Sequence, residues 1–195
     1  LKGIGYNSDG RISGTLQRNV VENFADFRIK HRNGRHITPI SAVCSTWGTL
    51  YMFAKSSHGN KRQLVLCDKD VSRGNPVFLE IGNHHPVALF AGYNHMAAVC
   101  SDGEIIFINH FLAKKSFNPE IEAISLPDGE KASTVACCKE TLFVLSTNGR
   151  VFSSIVSETE GSSLDFSPVS ELSGHEIVCL SGTNMHCFAV DKDGS

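Results

Sequence analysis

Short apolar runs separated by polar turns recur along this chain at a nearly constant interval. The clearest copy is Gly92-Tyr-Asn-His95-Met-Ala-Ala-Val-Cys-Ser-Asp102-Gly103. A second reads Gly182-Thr-Asn-Met-His186-Cys-Phe-Ala-Val-Asp-Lys-Asp193-Gly194, and a third Thr141-Leu-Phe-Val-Leu-Ser-Thr-Asn148-Gly149. Thr49-Leu-Tyr-Met-Phe keeps the apolar run but loses the turn. The lead positions 49, 95, 141 and 186 are 46, 46 and 45 residues apart. A fixed period in this range marks stacked or radially arranged structural units. It places function on a surface rather than in a catalytic pocket.

Each copy predicts two strands around a turn. Asp102-Gly103 and Asn148-Gly149 stand between apolar runs, and Asp193-Gly194 repeats the signal at the end of the sequence. Glycine tolerates the positive φ that such hairpin turns need. A second group of strands precedes each copy. Residues 76–81 lead into 87–90, residues 119–126 into 134–136, and residues 168–172 into 177–180. The apolar anchors Ile81, Leu126 and Leu172 lie 45 and 46 residues apart and so keep the period. No window shows a 3.6-residue apolar period. The unit is about four short antiparallel strands, which cannot bury an apolar face without neighbours. The predicted fold is all-β, a β-propeller of four-stranded antiparallel blades with about four units present, forming a partial ring. The expected repeats are 1–36 (incomplete), 37–82, 83–128, 129–173 and 174–195 (truncated), all in one repeat domain.

Composition narrows the function classes. The 195 residues are 41% hydrophobic and 19% charged, which reads as globular. The net charge is −2, with 18 basic and 20 acidic residues, which gives no electrostatic case for nucleic-acid or membrane-surface binding. The basic run from Arg28 to Arg35 reads as a solvated loop. No stretch approaches the roughly 18–20 apolar residues of a membrane-spanning helix. No signal-peptide pattern occurs at Leu1, and the missing initial Met reads as an excerpt of a longer chain. The seven cysteines are Cys44, Cys67, Cys100, Cys137, Cys138, Cys179 and Cys187. Their odd number, irregular spacing and apolar surroundings predict reduced, buried thiols in a cytoplasmic or nuclear compartment.

The repeat resembles that of the regulator of chromosome condensation family. The resemblance rests on Val87-Ala-Leu-Phe-Ala-Gly92…His95-x-Ala-Ala…Asp102-Gly103 and on Pro168…Leu172…Ile177-x-x-Leu-x-Gly182…His186-x-x-Ala-Val…Asp193-Gly194. The family repeat continues with a strand and a Gly-x-Asn-x-x-Gly turn. That element stands at the other end of this sequence, as Gly5-Tyr-Asn7-Ser-Asp-Gly10. The Trp-Gly element does not return after the later turns, and the sole Trp, Trp47, lies elsewhere in the repeat. WD-type repeats would need a Trp-Asp pair and kelch repeats a Gly-Gly pair, and the sequence has neither. The resemblance implies a seven-bladed ring of about 320 residues at this period. The sequence holds roughly four repeats, cut at the same phase of the repeat at both ends. An open ring would expose an apolar blade face, a surface prone to pairing.

The candidate chemistry is weak. His95 and His186 share one slot, held by Thr49 and Thr141 in the other copies, so the slot predicts a backbone hydrogen bond at a strand start rather than a metal ligand. The neighbours His84-His85, and likewise Cys137-Cys138, point opposite ways on an extended chain and are poor chelates. Gly3-Ile-Gly5-Tyr-Asn-Ser-Asp-Gly10 lacks the Lys-Ser/Thr ending and the following helix of a phosphate loop. Asp191-Lys-Asp193-Gly194 resembles the start of a calcium loop, but the sequence ends before a ligand at its twelfth position. No catalytic residue, metal or cofactor is predicted.

Gly5, Asn7, Gly10, Gly92, His95, Asp102, Gly103, Asn148, Gly149, Gly182, His186, Asp193 and Gly194 are read as the structural repeat motif. The expected function is a non-enzymatic protein-interaction propeller, with loop residues such as Lys61, Arg62, Asp128, Glu130, Glu158 and Glu160 facing a protein partner. Two alternatives stand beside it. The resemblance implies guanine nucleotide exchange on a small Ran-like GTPase, and the repeats could also serve as the recognition arm of a larger signalling or ubiquitin-ligase chain.

Overall fold

In the computed structural model, residues 2–6, 20–26, 39–46, 49–55, 62–68, 77–93, 95–109, 121–157 and 163–195 are described. Strands and turns make up this part of the chain, with two short 3-10 turns and no α-helix among the described residues. Two compact units divide it, residues 1–83 and 84–195.

In the first unit, β1 (Lys2–Tyr6) pairs antiparallel with β2 (Val20–Asp26). Strands β3 (Pro39–Ser45), β4 (Thr49–Lys55), β5 (Arg62–Asp68) and β6 (Val77–Glu80) form a four-stranded meander in chain order. Its middle strands hold the core: Tyr51, Met52 and Phe53 of β4 and Leu64, Val65 and Leu66 of β5 are buried.

The second unit repeats the meander. Strands β7 (Pro86–Ala91), β8 (His95–Cys100), β9 (Ile105–Asn109) and β10 (Glu122–Ile124) form one sheet, again in chain order. Strands β11 (Ala132–Cys137), β12 (Thr141–Ser146), β13 (Val151–Ile155) and β14 (Ser167–Pro168) form the next. Strands β15 (Ile177–Gly182) and β16 (Cys187–Asp191) form a two-stranded sheet. The apolar period read from the sequence marks one strand in each of four sheets, all but β1–β2. The second strands begin at Thr49, His95, Thr141 and Cys187.

The sheets of the second unit pack in sequence, β11 against β7 and β8, and β15 against β11 and β12. Val99, Ile105, Val135, Leu142, Phe152 and Phe166 share one buried cluster, while Leu145, Val151, Ile177 and Leu180 share the next. Removing these side chains from water, at about 25 cal/mol per Å², is what drives sheet against sheet.

The outermost strands are shorter than the sequence suggests. Of the strand expected over 168–172, only Pro168, together with Ser167, pairs with β13. Ser170–Leu172 is a 3-10 turn. Its amides are spent locally: Leu172 N–H donates to the Val169 carbonyl at 3.2 Å and Ser173 N–H to that of Ser170 at 3.0 Å. Pro168 has no N–H with which to extend a ladder. No helix among the described residues is long and apolar enough to cross a membrane.

Candidate interaction rim

The turns between second and third strands are built alike in the second unit. Cys100 N–H donates to the Glu104 carbonyl at 2.8 Å, and Gly103 N–H donates back to the Cys100 carbonyl at 3.0 Å. The same pair of bonds joins Ser146 with Arg150 and Gly149, and Asp191 with Ser195 and Gly194. The glycines adopt φ of +89° at Gly103 and +78° at Gly149, the left-handed region that closes a three-residue hairpin loop. A side chain supplies a further acceptor inside each turn. Ser146 Oγ accepts the N–H groups of Asn148 and Arg150, and Asp191 Oδ1 accepts those of Asp193 and Ser195. The equivalent residue in the β7–β10 sheet is Cys100, and there Asp102 Oδ1 instead accepts the Glu104 N–H at 3.1 Å.

Each turn is tied to the residues leading into the first strand of its own sheet. Ser101 N–H donates to the His85 carbonyl, Thr147 N–H to that of Lys131 and Lys192 N–H to that of Glu176, at 2.8–3.0 Å. The carbonyl of each turn glycine reaches the following sheet: Gly103 accepts from Ala132 N–H and Gly149 from Ile177 N–H, both at 3.0 Å. One local motif therefore closes a hairpin, anchors it to its own sheet and joins it to the next.

On this frame sits a row of charge pairs. His84 Nδ1 lies 3.1 Å from Glu104 Oε2. One period on, Glu130 receives Arg150 at 3.1 Å and the amide of Asn148 at 3.0 Å. One period further, His175 Nδ1 lies 3.0 Å from Asp191 Oδ2, and Lys192 Nζ lies 2.9 Å from Glu176. Positions 84, 130 and 175 are equivalent, so one slot carries His, Glu and His in turn. Burial alone would raise the Glu130 carboxyl, but hydrogen bonds from Ser146, Arg150 and Asn148 outweigh it and hold the group below its usual range. The Asp191 carboxyl is lowered chiefly by the Ser195 N–H and then by His175. The Cys100 thiol beneath the first turn is pushed up to about 12 by burial, with Asp102 and Glu104 adding to the effect.

His84, Asp102 and Glu104 bring three potential ligand atoms within 4.8 Å of one another. The equivalent slot one sheet on holds Glu130, Asn148 and Arg150, and a guanidinium cannot ligate a cation. The element that repeats is a charge pair, not a chelate.

The opposite end of each sheet holds the slot read as a hydrogen-bonding histidine. The bond there is made by main chain. Thr46, Gly92, Cys138 and Thr183 each donate N–H to the carbonyl of Thr49, His95, Thr141 and His186 respectively, at 2.7–2.9 Å. Where a side chain helps, it belongs to the residue three places earlier, as Thr46 Oγ1 accepts from Thr49 N–H and Thr183 Oγ1 from His186 N–H. The His95 ring is buried with neither nitrogen hydrogen-bonded. Its centroid lies 5.7 Å from that of Phe107, and burial pushes its pKa down to about 4. His186, in the same slot, is exposed.

The structure places Gly92, His95, Gly182 and His186 at this end of the sheets and Asp102, Gly103, Asn148, Gly149, Asp193 and Gly194 at the rim. Asp128, at a left-handed φ of 57°, and Glu130 stand beside Asn148 and Arg150 on the rim. Gly5 lies in β1 and Arg62 at the start of β5. Asn7, Gly10, Trp47, Lys61, Glu158, Glu160 and the basic run 28–35 lie outside the described residues. Sequence reasoning missed Glu104, Arg150, His175, Glu176 and Lys192. Applying the same period to polar positions would have aligned them.

No protein-family profile matches the sequence, and no curated protein does. Solved structures do. Human WBSCR16 aligns with a TM-score of 0.69 at 11% identity, over 98% of this chain and 54% of that one. Yeast RCC1 (Prp20), in its complex with Kap60, aligns at 0.59 and 10% identity over 91% of this chain and 46% of that one. Prp20p from Saccharomyces cerevisiae, in a study of its binding to Gsp1p and histones, aligns at 0.58 and 10% identity, covering 90% and 47%. The chain thus spans about half the length of the structures it matches. Its sheets are the antiparallel blades of an RCC1-like β-propeller repeat fold.

Proposed function

We propose that this chain is a non-enzymatic protein-interaction module that presents the charged rim of its blades to a protein partner. The row of charge pairs supports this reading most directly. The backbone motif beneath it is constant from blade to blade, while the side chains above it change sign. A rigid frame with variable, exposed polar groups lowers the ordering cost of binding and gives selectivity through charge complementarity. Reduced thiols fit a cytoplasmic or nuclear setting for such a module.

The test is capture of partners from a cell lysate by the full chain and by a rim variant carrying Glu130→Gln, Arg150→Gln, Glu176→Gln and Lys192→Gln. Partners retained by the first and lost by the second, with circular dichroism unchanged, are the expected result. An identical set of partners would overturn the rim assignment.

A second reading, guanine nucleotide exchange on a small Ran-like GTPase, draws on the resemblance of the repeat and on the likeness to the yeast protein whose binding to Gsp1p was studied. Faster release of labelled nucleotide from purified GTPases on adding the chain would favour it over simple binding.

A further inference from the structure

The first of the three rim charge pairs has a third donor beside it. His84 leads into β7, and Asp102 and Glu104 flank Gly103 in the turn from β8 to β9. The bond from Ser101 N–H to the His85 carbonyl, at 2.9 Å, holds these two segments of one sheet together. His84 Nδ1 lies 3.1 Å from Glu104 Oε2, and a ligand atom of Asp102 lies within 4.8 Å of both residues' ligand atoms. Two donors on one tetrahedral cation, each at about 2.0–2.2 Å, stand roughly 3.3 Å apart. His84 and Glu104 already have that spacing. Asp102 has to close by at most about 1.5 Å, a smaller shift than a change of rotamer gives a carboxylate. Asp102 is exposed and the other two are partly so, which leaves the cluster open to an ion from solution.

What surrounds the three residues differs from blade to blade. In the two later turns Ser146 or Asp191 accepts the turn amides. Cys100 stands in that place here, and Asp102 Oδ1 takes the Glu104 N–H at 3.1 Å. That bond holds the Asp102 carboxylate beside Glu104 and leaves its second oxygen for a ligand. Ser125 Oγ donates to the other Glu104 oxygen, Oε1, at 3.5 Å. Two carboxylates thus share one imidazole, and no lysine or arginine pairs with either of them among the described residues. The Cys100 thiol beneath is raised first by burial and then by Asp102 and Glu104, the direction that uncompensated carboxylates produce. The equivalents are Glu130, Asn148 and Arg150 in the next blade, and His175, Asp193 and Ser195 in the one after. Of these three sets, only 84, 102 and 104 combines an imidazole with two carboxylates.

We infer that His84, Asp102 and Glu104 bind a divalent transition-metal cation on the rim of the β7–β10 blade. One ring nitrogen and two carboxylate oxygens suit zinc and its first-row neighbours better than calcium or magnesium, which take oxygen donors. His84 coordinates through Nδ1 as the neutral ring, with its proton on Nε2. Three protein ligands leave a further coordination position for water. The cation ties the segment before β7 to the β8–β9 turn, and it cancels the negative charge of the two carboxylates at this point of the rim.

Titration calorimetry of the full chain, stripped of metal with a chelator and kept reduced with a phosphine, tests this with zinc and separately with cobalt(II). One cation per chain is expected. Bound cobalt is expected to show visible d–d bands without the near-ultraviolet charge-transfer band of a cobalt–thiolate bond, which separates this site from the seven cysteines. The double variant His84→Glu with Glu104→Arg installs the ion pair that Glu130 and Arg150 already form on the equivalent backbone. It removes two ligands while supplying a pair the turn accommodates, and is expected to weaken binding by about a hundredfold or more. Asp102→Asn, which introduces the residue of the next blade, changes one donor and is expected to weaken binding by about tenfold or more. Circular dichroism checks that each variant is folded, and the milder Asp102→Asn decides the matter if the double variant is not. No binding by the parent chain, a cobalt–thiolate band, or unchanged affinity in a folded variant would each overturn the inference.

Discussion

The Cβ that Gly103 lacks would lie 2.5 Å from the Cβ of Lys131, the residue leading into the first strand of the following blade. Real Cβ atoms do not approach so closely, so glycine is needed here for two separate reasons. One is its own φ of +89°, and the other is the backbone of the neighbouring blade. Gly174 has the same φ of +89°, but nothing lies within 4 Å of its virtual Cβ. The pair separates turn chemistry from blade packing.

Gly174→Ala is expected to cost about 1–2 kcal/mol, the strain of a left-handed L-residue. Gly103→Ala is expected to cost about 1–3 kcal/mol more, because Lys131 must also move and with it the start of β11. Urea unfolding of both variants, followed by circular dichroism, measures the difference. Equal costs would mean that the blades yield freely at this contact.

His95 makes stability depend on pH in a defined direction. Its folded pKa is held down to about 4 by burial, against 6.5 for an ordinary imidazole. Between those values the unfolded chain binds a proton that the folded chain does not, so stability falls as pH drops through the window. The slope from this group approaches about 1.4 kcal/mol per pH unit. Replacement by the residue that holds the slot in the next blade, His95→Thr, is expected to flatten the curve over that window. Urea midpoints taken across it check the sign.

Asp191 acts in the carboxylate sense. Its pKa is lowered by the Ser195 N–H, by His175 and by the Asp193 N–H. Its contribution is present at pH above the unfolded carboxylate value and is lost as pH falls through the folded value. Asp191→Asn is therefore expected to destabilise the last hairpin at neutral pH. The deficit relative to the parent chain should shrink in acid, once both states carry the proton. Hydrogen exchange at the Asp193 and Ser195 amides, compared at the two extremes, reports it locally.

Glu130 and Arg150 give the rim its most connected pair. Glu130 Oε1 meets Arg150 and Oε2 meets Asn148, and the Glu130 side chain is only 8% exposed against 47% for Arg150. A double-mutant cycle with Glu130→Gln and Arg150→Gln is expected to give a coupling near the upper end of the 0.2–1 kcal/mol range, roughly 1 kcal/mol. The coupling should fall in high salt, since Arg150 is half exposed.

The sequence by itself determined what is local. Asp102-Gly103 and Asn148-Gly149 set hairpins, apolar runs of four to six residues set strands, and the 46-residue period identified the second strand of each blade. A turn needs only its own residues, and a repeated unit reveals itself by repetition. Tertiary structure decided the rest. His84 and Glu104, Glu130 and Arg150, and His175 and Asp191 are 16–20 residues apart and meet only when a strand pair folds their ends together. The two histidines of one sequence slot differ for the same reason. Gly92 stands against both the His95 ring and the Cβ of Cys137 on the following blade, so that imidazole is sealed off from water. His186 stands on the two-stranded β15–β16 sheet and remains exposed. Burial is set by what packs across from a residue, and a repeat written in sequence does not state those packing partners.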